Sequence, residues 1–222
     1  MALTFLDLYN ECAGQPWSMF DNDATSVEDF ESAMRISINQ AISVLWNLQP
    51  WSFRLTKDKV TTKAGRALYE VPNGKIAKKV INSEERFMVT LDGEFLDYEP
   101  DYPLLDAQEG KPTAFYTDGD ELYFYPTPDD KYTIEIKHHM LSFGLDEEEE
   151  PINELVNDED RINIPEKYEK LFKNCLMPLA MTYAISEETD ENHSMYQKKY
   201  EDALEVLMDY CRSSIVDRYI VW

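Results

Sequence analysis

Histidine, cysteine and carboxylate side chains are the groups of this chain that could carry acid–base, nucleophilic or metal chemistry, and their spacing is the first thing to read. The histidines are His138, His139 and His193. His138 and His139 are adjacent on a predicted strand, where successive side chains point to opposite faces, so they cannot ligate one metal together. No histidine stands four residues from another ligand on a helix, and no serine or cysteine sits in a nucleophile-elbow context. Cys12, Cys175 and Cys211 show no Cys-x-x-Cys spacing. Two of them fall on helical apolar faces, so buried free thiols in a reducing compartment are expected rather than a disulfide framework. The seven glycines form no phosphate-cradling loop. Leu145 to Asp160 carries nine acids and no base, including Glu147-Glu148-Glu149-Glu150. Hard-cation sites interleave carboxylates with turn glycines and carbonyls; that spacing is missing, so the run reads as a solvated linker. With 44 acidic residues, close carboxylate pairs are expected by chance. No catalytic residue, cofactor or metal site is predicted, and no ligand spacing supports an enzyme built on carboxylate-bound metal.

Composition narrows the class. The chain has 222 residues, 43% hydrophobic and 13% aromatic, enough to bury a core. Its 21 basic against 44 acidic residues give a net charge of −23, which argues against general binding to nucleic acid or anionic membranes. No stretch approaches the length of a membrane span, and Met1 to Asp7 lacks the basic and apolar regions of a signal peptide. A soluble protein, intracellular when made, is expected. One segment runs against the charge. Between Arg54 and Arg86 there are nine Lys/Arg and four Asp/Glu, a local balance of +5 against −28 for the rest. Arg54, Lys57, Lys59, Lys63, Arg66, Lys75, Lys78 and Lys79 could be solvated strand faces, a nucleic-acid patch, or the complement of an acidic surface on a neighbouring copy.

The elements that would position these groups follow from periodicity. Leu3 to Tyr9 begins a short helix that Gly14-Gln15-Pro16 breaks. Ser26 is a predicted N-cap with Asp29 three residues on, and Phe30, Met34, Ile38, Ile42 and Leu45 form one helical stripe that Gln49-Pro50 ends. Trp46 and Trp51 read as core plugs. From Trp51 to Met88 the pattern is β: Trp51-Ser52-Phe53-Arg54-Leu55 alternates, Pro72-Asn73-Gly74 turns, and Ile76-Ala77-Lys78-Lys79-Val80 leads to Phe87-Met88-Val89. Ala114-Phe115-Tyr116 and Leu122-Tyr123-Phe124-Tyr125 flank an Asp118-Gly119 turn, a strong hairpin signal. Tyr132 to Lys137 alternates and is expected as the third strand of that meander. Asp92 to Glu109 is acidic and turn-rich. Ile164-Pro165 starts a helix whose stripe runs Tyr168, Leu171, Phe172, Cys175, Leu176, Leu179, Tyr183, with Pro178 expected to kink or break it. Ser186 to Glu191 turns the chain into a last helix with Tyr196, Tyr200, Ala203, Leu204, Leu207 and Cys211 on its apolar face. The chain then ends in an apolar, β-prone peptide, Ile215 to Trp222, where termini are usually polar.

The predicted fold class is α+β: an antiparallel helical bundle with an inserted antiparallel β-sheet region and an extended C-terminal arm. The parts are 1–50 (N-terminal helical), 51–144 (β insertion), 145–163 (acidic linker), 164–212 (helical hairpin) and 213–222 (arm).

Four motifs in this order carry a resemblance: Trp51-Ser52-Phe53; Gly119-Asp120-Glu121-Leu122-Tyr123-Phe124-Tyr125-Pro126-Thr127-Pro128; Ile164-Pro165-Glu166-Lys167-Tyr168; and Tyr200-Glu201-Asp202-Ala203-Leu204. Over residues 26 to 212 the chain resembles the head-to-tail adaptor proteins, or connector ring proteins, of short-tailed bacteriophages. The resemblance implies a structural virion protein, not an enzyme, made in the host cytoplasm and placed at the portal vertex. It implies a homo-oligomeric, twelvefold ring under the portal protein that extends the DNA channel and receives tail proteins. DNA would pass an acidic lumen without specific binding, because like charge removes the counterion-release gain. The basic residues of 54–86 would then meet acidic loops of a neighbouring subunit. Ile215, Val216, Tyr219, Ile220, Val221 and Trp222 would form an arm that docks on the portal or a neighbour. The alternative is an acidic DNA mimic inhibiting a host DNA-binding enzyme; it would be a stable monomer or dimer.

Overall fold

A computed structural model of the chain describes residues 3–14, 27–70, 74–81, 84–101, 108–119, 121–185, 191–213 and 219–220. The fold is α+β, with helices and mostly antiparallel sheets. The chain divides into two compact units: residues 1–53 with 142–214, and residues 54–141 with 215–222.

The first unit is helical. Helix α1 (Phe5–Ala13) starts at a complete capping box, in which the Thr4 hydroxyl accepts from the Asp7 amide at 3.2 Å while the Asp7 carboxylate accepts from the Thr4 amide. Helix α2 (Val27–Asn47) buries the whole predicted stripe, Phe30, Met34, Ile38, Ile42 and Leu45; its predicted cap, Ser26, lies outside the described residues. Helix α3 (Glu166–Ala184) follows Pro165 and continues through Pro178 without a break. It packs against both α2 and α4 (Glu191–Ser213). Trp46 and Trp51 are buried plugs, as predicted. The predicted strand at Trp51–Leu55 is instead a 3₁₀ turn, Ser52–Arg54, before the first strand. The reason is packing: Phe53 stacks on Trp51 at 5.6 Å and meets Phe172 edge-on at 5.7 Å, while the Trp51 indole donates to Leu45 O at 2.7 Å. One aromatic cluster thus overrides the local alternation.

The second unit is built of strands: β1 (Leu55–Thr61), β2 (Leu68–Glu70), β3 (Gly74–Ile76), β4 (Lys78–Ile81), β5 (Glu84–Phe87), β6 (Val89–Leu91), β7 (Glu94–Phe95), β8 (Asp97–Tyr98), β9 (Glu109–Gly110), β10 (Ala114–Asp118), β11 (Glu121–Tyr125), β12 (Thr127–Pro128) and β13 (Thr133–Met140). The β10–β11 hairpin forms in the predicted register, with Gly119 at φ +58° in its turn. The third strand does not join it. β13 leaves for another sheet, where it pairs with β1, β6 and β3, while β11 takes β2 as its second neighbour. Thr62 anchors that departure, since its hydroxyl donates to Asp130 O at 2.9 Å and accepts from the Tyr132 amide at 2.7 Å. The run Ile76–Val80 is β, divided between β3 and β4 at Ala77, which is buried and gives its amide to Lys137 O at 2.9 Å. Leu91, Leu96, Phe115, Leu122, Phe124, Ile134 and Ile136 fill the core between the sheets of this unit.

The acid-rich run expected as a linker is a folded loop of the helical unit. β14 (Gly144–Leu145) pairs with both β15 (Pro151–Ile152) and β16 (Arg161–Ile162). Asp160 is buried and accepts the Val156 and Asn157 amides at 2.7 and 2.8 Å. Asn39 of α2 clamps the loop by exchanging two hydrogen bonds with the backbone of buried Leu155, at 2.9 and 2.8 Å. Arg35, over the Phe5 ring, reaches Asp158 at 2.5 Å. Nine acids in sequence therefore make a loop whose backbone is satisfied locally, with most of its glutamates facing water.

Candidate assembly surfaces

The three cysteines and two of the three histidines lie in the interior, while His193 is half-buried on α4. All three cysteines are buried and free, and burial pushes the Cys12 and Cys175 thiols up to about 12 and raises that of Cys211. Such thiols stay protonated at neutral pH. His138 and His139 sit side by side on β13, both buried. His138 Nε2 lies 2.6 Å from Asp58 Oδ2, on the adjacent strand β1. His139 has no partner on either ring nitrogen, and its pKa is lowered to about 4 by burial, with the positive charge of Arg54 and then His138 adding to it. Among the described residues no group of three potential ligands could hold a metal ion.

The basic segment is less uniform than its sequence suggests. Arg54 is buried and donates twice to Met140 O, at 3.0 and 2.8 Å, so its guanidinium serves the interior. Lys57 and Lys59 share Glu135 across the β1–β13 ladder at 2.6 and 3.7 Å. Arg66 covers the Tyr69 ring and donates to Leu68 O at 2.7 Å. Lys78 lies over Phe87 and 3.6 Å from Glu85. Lys63 and Lys75 are exposed, and Lys79 is half-buried on β4. Of these cations, Lys57, Lys59 and Lys78 already hold an acid of their own unit.

The C-terminal peptide, of which residues 219–220 are described, contributes β17 (Tyr219–Ile220). It pairs antiparallel with β4, Tyr219 opposite Lys79 and Ile220 opposite Lys78, so β4 lies between β5 and β17. Ile215, Val216, Val221 and Trp222 lie outside the described residues. The sequence marked this peptide as apolar and β-prone; which edge it would meet had no sequence signal.

Sequence reasoning also missed two apolar surfaces on the helices. α2 exposes Ile36 and Val44, Ile36 to 64%, and Leu48 just beyond its end is exposed as well. α4 exposes Met195, Val206 and Tyr210, Val206 to 55%; these three fall within roughly a 60° sector of the helix. The signal in the sequence is the presence of apolar residues off the core-facing stripes of these helices.

The sequence model of the SU10 adaptor protein family matches residues 4–218. The chain belongs to the SU10 adaptor protein family. It is a phage head-to-tail adaptor, a structural component of the virion. No curated protein matches the chain. No helix among the described residues of this adaptor is long and apolar enough to cross a membrane. Family membership sets the DNA-mimic reading aside.

Proposed function

We propose that this adaptor assembles with copies of itself into a twelvefold ring beneath the portal protein, prolongs the DNA channel and offers its far side to tail proteins. A closed ring needs a heterologous contact, in which two different patches of each subunit meet. The observation that carries the reading is the pair of exposed apolar surfaces on α2 and α4, two separate helices that both pack on α3. Each is small enough to be tolerated on a soluble subunit, and together they supply the two unlike halves of such a contact. The basic strip, Lys57, Lys59, Lys63, Arg66, Lys75, Lys78 and Lys79, adds a second contact against acidic loops of the neighbour, screened by salt. The C-terminal arm, Ile215 to Trp222, supplies a third, on the portal or an adjacent copy. The net charge of −23 suits a channel wall that DNA slides past without adhering.

Light scattering on the purified chain, alone and with its cognate portal, tests this. The expected result is a 26.0 kDa monomer that forms a ring on the portal. A monomer indifferent to portal refutes the reading. Reversing Lys78 and Lys79 to glutamate tests the charge contact, which fails if assembly and its salt dependence are unchanged.

A further inference from the structure

We infer that the strand-built units of neighbouring copies stack face to face: the lysine-bearing outer face of the β1–β13 sheet of one subunit meets the acidic, tyrosine-bearing outer face of the β2–β11–β10 sheet of the next. The inference rests on the ring reading above and names the two surfaces that make the charge contact, one of which is a sheet face rather than an acidic loop.

The two sheets enclose one core, so their outer faces lie on opposite sides of the same unit. On the first sheet Ile134 and Ile136 of β13 are buried, and strand alternation turns Glu135 and Lys137 outward. The register sets Lys57 opposite Lys137, Lys59 opposite Glu135, and Lys75 of β3 opposite His139. Lys57, Lys59, Lys75 and Lys137 therefore share one face with a single carboxylate, Glu135. Lys137 lies far outside the basic sequence segment, and only the register brings it there. On the second sheet Tyr69, Phe115, Leu122 and Phe124 are buried, which leaves the alternate positions of β2, β10 and β11 outward. Leu68, Tyr123 and Tyr116 form one row across these three strands, and Glu70, Glu121 and Asp118 form the next. No outward position of these three strands carries a base.

Each face repels itself. Like charges directly opposite on neighbouring strands are destabilising, and the register holds Lys57 against Lys137 on one face and Glu70 against Glu121 against Asp118 on the other. Glu135, held by Lys57 and Lys59, answers only part of the first. Among the described residues no base pairs with Glu70, Asp118 or Glu121; Glu121 holds the Tyr123 hydroxyl at 2.5 Å. Laying one face on the other relieves both. Lysine heads reach the acidic row, their stems cover Leu68 and the tyrosines, and an ammonium over a tyrosine ring adds cation–π attraction. The chain already makes such a contact at Lys78, whose ammonium stands 4.6 Å from the Phe87 ring centre and 3.6 Å from Glu85. A second copy is the occupant because it carries the complement of each face on the opposite side of the unit. Neighbours in a twelvefold ring differ by a rotation of only about 30°, so their contact joins nearly opposite flanks, and the two halves of that contact are unlike. Both conditions hold for these faces.

The test reverses each face and then mixes the two. Lys57→Glu with Lys59→Glu inverts the balance of the lysine face, and Glu70→Lys with Glu121→Lys inverts that of the acidic row; all four positions are exposed. The full-length chains are added to the cognate portal and followed by light scattering, with circular dichroism to verify that each variant folds. Neither variant should form a ring by itself. Their equimolar mixture should, because the two can alternate around an even-numbered ring and every contact again joins opposite charges. Rings from either variant alone overturn the inference and leave the ring reading intact. Two folded variants that fail alone and also fail together overturn the pairing of these two faces. Where a pair does not fold, Lys59→Gln or Glu70→Gln replaces it; each should raise several-fold the concentration needed for half-assembly, and an unchanged concentration overturns the inference. Absence of a ring from the unmodified chain overturns the ring reading and this inference with it.

Discussion

Replacing His139 with leucine should make the protein more resistant to acid, by an amount that the structure sets. The ring is 2% exposed, neither nitrogen has a hydrogen-bond partner, and burial with the charge of Arg54 beside it lowers the pKa from 6.5 to about 4. A base held neutral in the folded chain takes up its proton on unfolding, so its contribution is fully present above the unfolded value and is lost as pH falls from about 6.5 towards about 4. At pH 5 the unfolded chain is favoured by about 2 kcal/mol relative to pH 7 through this one group. Leucine neither titrates nor leaves orphaned nitrogens. The stability difference between His139→Leu and the wild type should therefore grow by about 2 kcal/mol between pH 7 and pH 5, a shift of roughly 1 M in urea midpoint. Taking the difference cancels the titration of the 44 acidic residues common to both chains. The assay is urea unfolding followed by far-ultraviolet circular dichroism at the two pH values. Parallel pH profiles for the two proteins would refute the reasoning, as would a histidine resonance of this residue titrating above pH 6.

The remaining expectations concern the acidic loop and the helix surfaces. Asn39→Ala removes both bonds to Leu155 and should cost about 1–3 kcal/mol; the readout is faster cleavage within 146–160 by a glutamate-specific protease, and an unchanged rate would mean the clamp is dispensable. At Gly144 an added Cβ would stand 2.7 Å from Leu155 Cδ2 and 2.9 Å from Ile152 Cγ1. Gly144→Ala should lower thermal stability by about 1–3 kcal/mol through overpacking, and a neutral result would show that the three-stranded turn yields easily. Val206→Asp, on an exposed position, should change stability by about 0.5 kcal/mol or less yet abolish ring formation by light scattering; normal assembly would remove α4 from the interface.

Local signals settled the long helix α2 and its buried stripe. The stripe from Phe30 to Leu45 is buried because a 3.6-residue period admits one inward face whatever the helix packs against. The β10–β11 hairpin was equally legible, since Asp118-Gly119 and the aromatic runs act over a few residues. Partner choice was not. Tyr132–Lys137 carries a strand pattern that suits either sheet; the anchor at Thr62 and the ladder to β1 decide it, across some seventy residues of sequence. Trp51–Leu55 alternates like a strand, and only the rings of Phe53, Tyr168 and Phe172 meeting in one core turn it into a 3₁₀ bend. Nine acids between Leu145 and Asp160 say "solvated" by composition, but composition has no means of expressing that Asn39 binds the backbone of Leu155. The same division holds for the assembly surfaces. The sequence by itself determined a strong negative charge and an apolar C-terminal peptide. Tertiary structure decided that Arg54 is interior, that Ile36 and Val206 face water, and that β4 is the edge on which the last strand closes. Those outcomes depend on contacts between residues far apart in the chain, whose pairing energies no local pattern contains.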